Sequence, residues 1–150
     1  MIRLSTKGRY GTRLMLNLAQ HYHNSGDSIV LKDLSKEEDI SIRYLEQIII
    51  PLKLNNLVKS IRGAGGGYKL ARHPSKIKLV DILRALEGPC CLVECVEDDE
   101  YCERIPICAA HDVWKEASTM LKDYFESISL EDLVRRSKEK RKKKSKGKIT

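Results

Sequence analysis

The chain is poor in aromatic residues and has no long apolar run. Its 150 residues include one Trp, six Tyr and one Phe, too few for the stacking platforms that hold single-stranded nucleic acid. No hydrophobic segment approaches the ~18 residues of a membrane span, so no membrane partner is expected. The start, MIRLSTKGRYG, lacks the apolar stretch of a secretory signal, and a cytoplasmic location with reduced thiols is the expectation. There is no internal repeat. A phosphate-cradling loop is also missing: Gly63-Ala64-Gly65-Gly66-Gly67 is followed by Tyr68, with no Gly-Lys-Ser/Thr and no G-x-G-x-x-G spacing.

At 41% hydrophobic residues the chain can bury a core. Its net charge of +7 is the sum of unlike blocks. Residues 138–148 hold eight bases and the single acid Glu139 (net +7), whereas residues 1–137 hold 20 bases and 20 acids and are neutral. Within that neutral stretch, residues 1–80 carry 14 bases and 6 acids (net +8), and residues 81–137 carry 6 bases and 14 acids (net −8). A basic half therefore precedes an acidic half, and KEKRKKKSKGK closes the chain as a low-complexity stretch expected to be disordered.

Periodicity divides the basic half. Tyr10, Leu14, Leu18 and Tyr22, with Met15 and Ala19, predict an amphipathic helix capped by Ser5 or Thr6. A short helix over about 31–38 follows. Ser41 then caps a longer one with the stripe Ile42, Leu45, Ile48, Ile49 and Leu52, in which Pro51 should end or kink the last turn. Two helices joined by about three residues have helix-turn-helix spacing. Two β-prone arms, 57–61 and 68–71, flank the glycines and predict a hairpin.

The order helix, turn, helix, hairpin is that of a winged helix-turn-helix, whose second helix enters the major groove of double-stranded DNA while the hairpin reaches an adjacent groove or the backbone. Ser41, Arg43, Tyr44, Glu46 and Gln47 lie on the first turns of the second helix. Arg pairs with guanine edges, Gln with adenine, and Glu accepts from cytosine N4. Arg62 sits at the mouth of the hairpin, where a thin glycine tip that includes Gly66 could admit it to a minor groove. Arg3, Lys7, Arg9, Lys53 and Lys59 are candidates for phosphate contacts. Each alone would be ordinary on a solvated helix face; together, in a +8 block, they point to DNA.

In the acidic half a short helix spans about 78–87 and stops at Gly88-Pro89. Residues 90–107 have no usable period and hold four of the five cysteines. A helix follows over 108–127, with the coiled-coil-like seam Trp114, Ala117, Leu121, Tyr124 and Ile128, and a short last helix runs to about residue 136. The spacing Cys95-x6-Cys102-x5-Cys108-x2-His111 offers three thiolates and an imidazole. Structural zinc favours close cysteine pairs, which are absent from this run. Iron–sulfur clusters tolerate wider spacing and accept imidazole on one iron. Zinc binding by the same Cys/His loop, thiol redox chemistry and idle buried thiols also remain open. Cys90 and Cys91, at the apolar entry to the loop, are left outside the ligand set. Nothing builds a substrate pocket beside a nucleophile, so neither catalysis nor a small-molecule substrate is expected.

The segments LSTKGRYG, ISIRYLEQ, LVKSIRGAGGGYKLAR and CAAHDVW resemble those of the IscR-like iron–sulfur regulators of the Rrf2 family, over about residues 2–135. The resemblance implies a homodimeric winged-helix transcription regulator, mainly α with a small β-hairpin, on a near-palindromic operator. It further implies a [2Fe–2S] cluster on Cys95, Cys102, Cys108 and His111, with a [4Fe–4S] form remaining open. Glu46 corresponds to the glutamate that separates operator classes, and Arg62 to the wing arginine. The expected divisions are a DNA-binding region 1–80, a connecting helix and cysteine loop 81–107, a dimerisation helix and short helix 108–137, and the tail 138–150. There are departures from the family pattern. The second cysteine spacing is one residue longer than the IscR type. The aspartate ligand of nitric-oxide-sensing relatives is missing, since position 9 is Arg and no acid precedes Asp27. Some relatives lack the cysteines and act through partner proteins.

Overall fold

A computed structural model describes residues 3–24 and 26–146. The helix α1 (Thr6–Asn24) runs through the middle of the molecule and packs on α2 (Leu31–Glu38), α3 (Ile42–Leu54), α4 (Leu79–Glu87), α7 (Leu130–Lys146) and the hairpin. Ser5 caps it: its Oγ accepts the Gly8 N–H at 3.1 Å and donates to Glu87 at the end of α4. Leu14, Met15, Leu18 and Ala19 are sealed from solvent. Gly11 sets the approach of α4, because a Cβ there would collide with Leu86.

The turn between α2 and α3 is Asp39-Ile40-Ser41. Asp39 takes a left-handed conformation (φ 53°), Ile40 N–H bonds back to Ser35 O at 3.2 Å, and Ile40 itself is buried. Ser41 Oγ accepts from Tyr44 N–H at 3.3 Å and caps α3. Pro51 does not stop α3, which continues to Leu54 with Asn55 N–H on Pro51 O at 3.1 Å. A proline so near the end forfeits one N–H, while Leu52 beyond it is fully buried. Ile42, expected in the buried stripe, is instead exposed on the first turn.

Strands β1 (Val58–Ile61) and β2 (Gly67–Leu70) pair antiparallel, Val58 opposite Leu70 and Ile61 opposite Gly67. The chain between α1 and α2 adds a rung: Ile29 and Tyr68 exchange backbone hydrogen bonds at 2.9 and 2.8 Å. Gly67 (φ 141°) permits it, since any Cβ would strike the Ile29 carbonyl. A 3₁₀ turn, Pro74–Lys76, leads into α4.

Beyond α4 come a single turn, α5 (Glu94–Glu97), a 3₁₀ turn at Ile105–Ile107, and α6 (Ala109–Ser127). The expected seam of α6 divides. Ile128 is buried and Leu121 and Ala117 half-buried, whereas Trp114 and Tyr124 are exposed, along with Val113 and Met120, so the open apolar face is 113, 114, 120 and 124. The chain then returns to the body: Leu130 N–H bonds Ile77 O and Leu79 N–H bonds Ile128 O, both at 2.9 Å. Ser129 and Asp132 cap α7 reciprocally.

One hydrophobic core crosses the expected division at residue 80. Leu14, Leu45 and Leu57 share it with Ile82, Leu86, Leu130 and Val134. The expected disorder from residue 138 gives way to helix through Lys146, with residues 147–150 outside the described residues. Lys and Arg are good helix formers, no Gly or Pro interrupts before Gly147, and Leu130 and Val134 anchor the first turns in the core. Among the described residues no helix is long and apolar enough to cross a membrane.

Candidate nucleic-acid interface and cysteine loop

On α3 the buried side holds Leu45, Ile48, Ile49 and Leu52, which leaves Arg43, Glu46 and Gln47 exposed on the opposite side. Ser41 is exposed and engaged as the cap. Tyr44 is half-buried and meets Tyr10 edge-on, with ring centroids 5.9 Å apart at 89°. It therefore braces α1 against the first turn of α3 as well as standing at the surface. Ile50 and Leu54 continue the stripe of Arg43 and Gln47 at helical spacing, and both are exposed (59% and 77%). Neither is among the residues expected at the interface from sequence. The signal for them exists: with Ile48 and Ile49 facing the core, a third consecutive isoleucine must face away.

The wing is held from three sides. Lys53 of α3 places its ammonium 6.0 Å from the Tyr68 ring centroid, Ser28 Oγ donates to Gly65 O, and the Ile29–Tyr68 bridge fixes β2. Lys59 and Arg62 are exposed. Gly66 closes the turn, its N–H on Gly63 O at 2.9 Å, and a Cβ there would press on the Ile61 and Gly63 carbonyls. Its place in the fold is thus to shape the tip. On α1, Arg9 is exposed with its guanidinium 5.9 Å from the Tyr10 ring centroid, while Lys7 is half-buried. Arg3 is exposed. Arg13 is committed internally, to Glu38 of α2 at 3.1 Å.

The thiols of Cys95, Cys102 and Cys108 are free and half-buried. Cys95 lies on α5, Cys102 in the following loop, and Cys108 at the N-cap of α6. His111 is buried, and its Nε2 lies 3.0 Å from the carbonyl oxygen of Cys95. A carbonyl only accepts, so Nε2 supplies the hydrogen of this contact, while Nδ1 lies 3.7 Å from Asp112 Oδ1. The structure thus joins His111 to the Cys95 segment through backbone. The donor types suit a sulfur-rich metal centre, but among the described residues no group of three or more His, Cys, Asp or Glu stands together to hold a metal ion.

Comparison with known proteins matches residues 4–136 to the Rrf2 model, described as an iron-dependent transcriptional regulator. The chain is 42% identical over 133 residues to the HTH-type transcriptional regulator CymR of Bacillus subtilis, covering 89% of this chain and 90% of that protein. It is 36% identical over 134 residues to the HTH-type transcriptional regulator IscR of Xenorhabdus nematophila, covering 89% and 80%. Among solved structures, that of CymR, the global cysteine regulator of B. subtilis, matches with TM-score 0.75 and 39% identity over 91% of this chain and 98% of the other. T. potens IscR matches with TM-score 0.74 and 34% identity over 91% and 88%. These homologues are transcription regulators, not enzymes. A winged-helix body with an exposed polar face on α3, matched over nearly its whole length by such regulators, makes this chain a member of the Rrf2 family of DNA-binding transcription regulators.

Proposed function

We propose that the chain acts in the cytoplasm as a homodimeric repressor on a near-palindromic DNA operator, with its cysteine loop as the sensing element. Arg43, Glu46 and Gln47 read base edges from α3, Ile50 meets a thymine methyl, and Arg62 enters the adjacent minor groove from the wing. Lys7, Arg9 and Lys59 contact phosphates. Cys95, Cys102, Cys108 and His111 would hold an iron–sulfur cluster, [2Fe–2S] in preference to [4Fe–4S]. When bound, such a group supplies an iron- and redox-sensitive tie between the loop and α6.

The observation that carries this reading is the contact of His111 with the Cys95 carbonyl. It couples the thiol loop to the first turn of the helix whose far side is apolar and open. A change in the loop therefore bears on α6, and through the dimer on the spacing of the two reading heads.

The test is anaerobic purification with iron, sulfide and zinc analysis and visible absorption, together with footprinting. A coloured protein protecting a near-palindromic site, with protection lost in Arg43→Ala or Arg62→Ala, is the expected result. A colourless protein holding one equivalent of zinc would sink the cluster. Two observations favour a second reading, in which the thiols are redox-sensitive or the protein answers to a partner. Among the described residues the three thiols and His111 do not stand together as a metal-holding group, and CymR is a cysteine regulator. In that case operator binding responds to thiol oxidation or a partner in a protein without colour.

A further inference from the structure

Cys90 and Cys91 are adjacent in sequence, lie outside the Cys95–His111 set, and line one wall of a half-enclosed cavity of about 320 Å³. The cavity lies where the segment before α1, the end of α4 and the second half of α6 meet, and Leu4, Leu83, Leu121 and Phe125 make much of its lining apolar, with Arg3 and Glu87 among the polar residues. The two cysteines are held from both sides. Before them, Gly88 closes α4 with its N–H on Arg84 O at 3.1 Å. After them, Leu92 N–H donates to Ser118 Oγ of α6, also at 3.1 Å. Two cysteines adjacent in sequence therefore line one largely apolar space large enough for a small organic group, on a backbone tied at both ends.

We propose that this cavity binds a small apolar thiophile that engages both thiols at once, and specifically a monosubstituted trivalent arsenical, with Cys90 and Cys91 as its two sulfur ligands and the organic substituent in the cavity. The reaction is a condensation and needs no oxidant. An arsenic oxide R–As=O takes both thiols, two As–S bonds form as the arsenic–oxygen double bond breaks, and the oxygen leaves with the two thiol protons as one water. Arsenic stays trivalent.

The chemistry of the two thiols agrees with this. Burial pushes both above the usual thiol range, with the neighbouring Cys91 adding to the effect at Cys90 and Glu97 adding to it at Cys91. Thiols kept protonated are slow toward oxidants that need thiolate, and a vicinal pair gains instead from bidentate capture, where the second bond forms at high effective concentration. The apolar lining selects an organic substituent over a bare ion, since burying it removes apolar surface from water.

The probe is phenylarsine oxide, titrated into the full-length protein under reducing conditions and read by intact mass and free-thiol count. The first equivalent is expected to consume two thiols. Cys90→Ala and Cys91→Ala should each weaken that equivalent by about a hundredfold, because chelation is lost, while Cys102→Ala leaves it in place. Unchanged uptake in Cys90→Ala and Cys91→Ala, with loss in Cys102→Ala, would overturn the assignment and place the arsenical on the loop. The role of the cavity is read on the wild type without a variant: phenylarsine oxide should bind about tenfold tighter than methylarsonous acid. Leu121→Trp, which fills the cavity and keeps both thiols, should erase that preference. Equal affinities for the phenyl and methyl compounds on the wild type would overturn the cavity as the binding site.

Discussion

The reading head and the cysteine half solve different problems with the same short chain. In the head every element is tied to its neighbours, although α3 leaves Ile50 and Leu54 exposed on its outer side. The turn before α3 is fixed by Asp39 and the Ser41 cap, α3 buries Leu45, Ile48, Ile49 and Leu52, and the wing is pinned through Lys53, Ser28 and Ile29. In the cysteine half, α5 and the following 3₁₀ turn bury no residue, and the long α6 buries only His111 and Ser118 while exposing Val113, Trp114, Met120 and Tyr124. The head is complete in one chain; the other half is left incomplete by its fold. That is the division the proposed function calls for, in which one part holds a rigid register on DNA and the other moves between states and pairs with a second copy.

The largest effect should come from attacking the open face. Met120→Glu puts a charge on the exposed stripe of α6 and has little to disturb within its own chain. If the proposed dimer forms through this face, sedimentation should show the wild type as dimer and the variant as monomer, with operator affinity reduced on the order of a hundredfold as the two half-sites are no longer bound together. If Met120→Glu remains dimeric, the contrast between a closed head and an open half fails. Ile48→Ala, in the head, should instead lower unfolding free energy by about 2–5 kcal/mol in denaturant titration, through reduced burial and a cavity, with the oligomeric state of the folded protein unchanged.

A smaller effect sharpens the boundary between the halves at the start of α7. Asp132 accepts from the Ser129 backbone N–H and hydroxyl and from Arg135, and these hold its carboxyl below the usual range, the backbone bond being the largest cause. Its folded value is depressed, so the stabilisation is fully present above the unfolded carboxyl value and fades as pH falls through the folded one. Asp132→Ala should cost about 1 kcal/mol at neutral pH, and the difference from wild type in melting experiments should shrink as the pH drops below about 4. The smallest effect on the fold is expected from deleting residues 138–150. Melting should barely change, all duplexes should bind more weakly alike, and the salt slope should fall by about one unit for each phosphate no longer neutralised.

Much of this was legible along the chain because its cause is local. Leu14, Leu18 and Tyr22 recur at the helical period, Ser41 is a capping residue, and the glycines at 63–67 force a turn, so the winged helix-turn-helix can be read without a structure. Pro51 does not end α3, because only a short turn lies beyond it and Leu52 in that turn is buried, which holds the helix to Leu54. The composition of the tail alone suggests disorder, whereas anchorage by Leu130 and Val134 carries the helix on through a run of good helix formers. The helical period of the α6 seam is real, but which phase faces α4 and which faces outward depends on packing. The charge division at residue 80 is likewise real as electrostatics and not as packing, since Ile82, Leu86, Leu130 and Val134 complete the core that Leu14 and Leu45 begin.

By itself, then, the sequence determined the order of elements, their caps, the blocks of +8, −8 and +7, and the supply of three thiols and an imidazole, all consequences of near neighbours and of composition. Only the tertiary structure decided that one core serves both halves, that the wing is pinned to the chain between α1 and α2, that His111 rests on the Cys95 carbonyl, and that Cys90 and Cys91 line a cavity. Those relations join residues far apart in the chain, and they are set by which buried surfaces fit one another rather than by any local period.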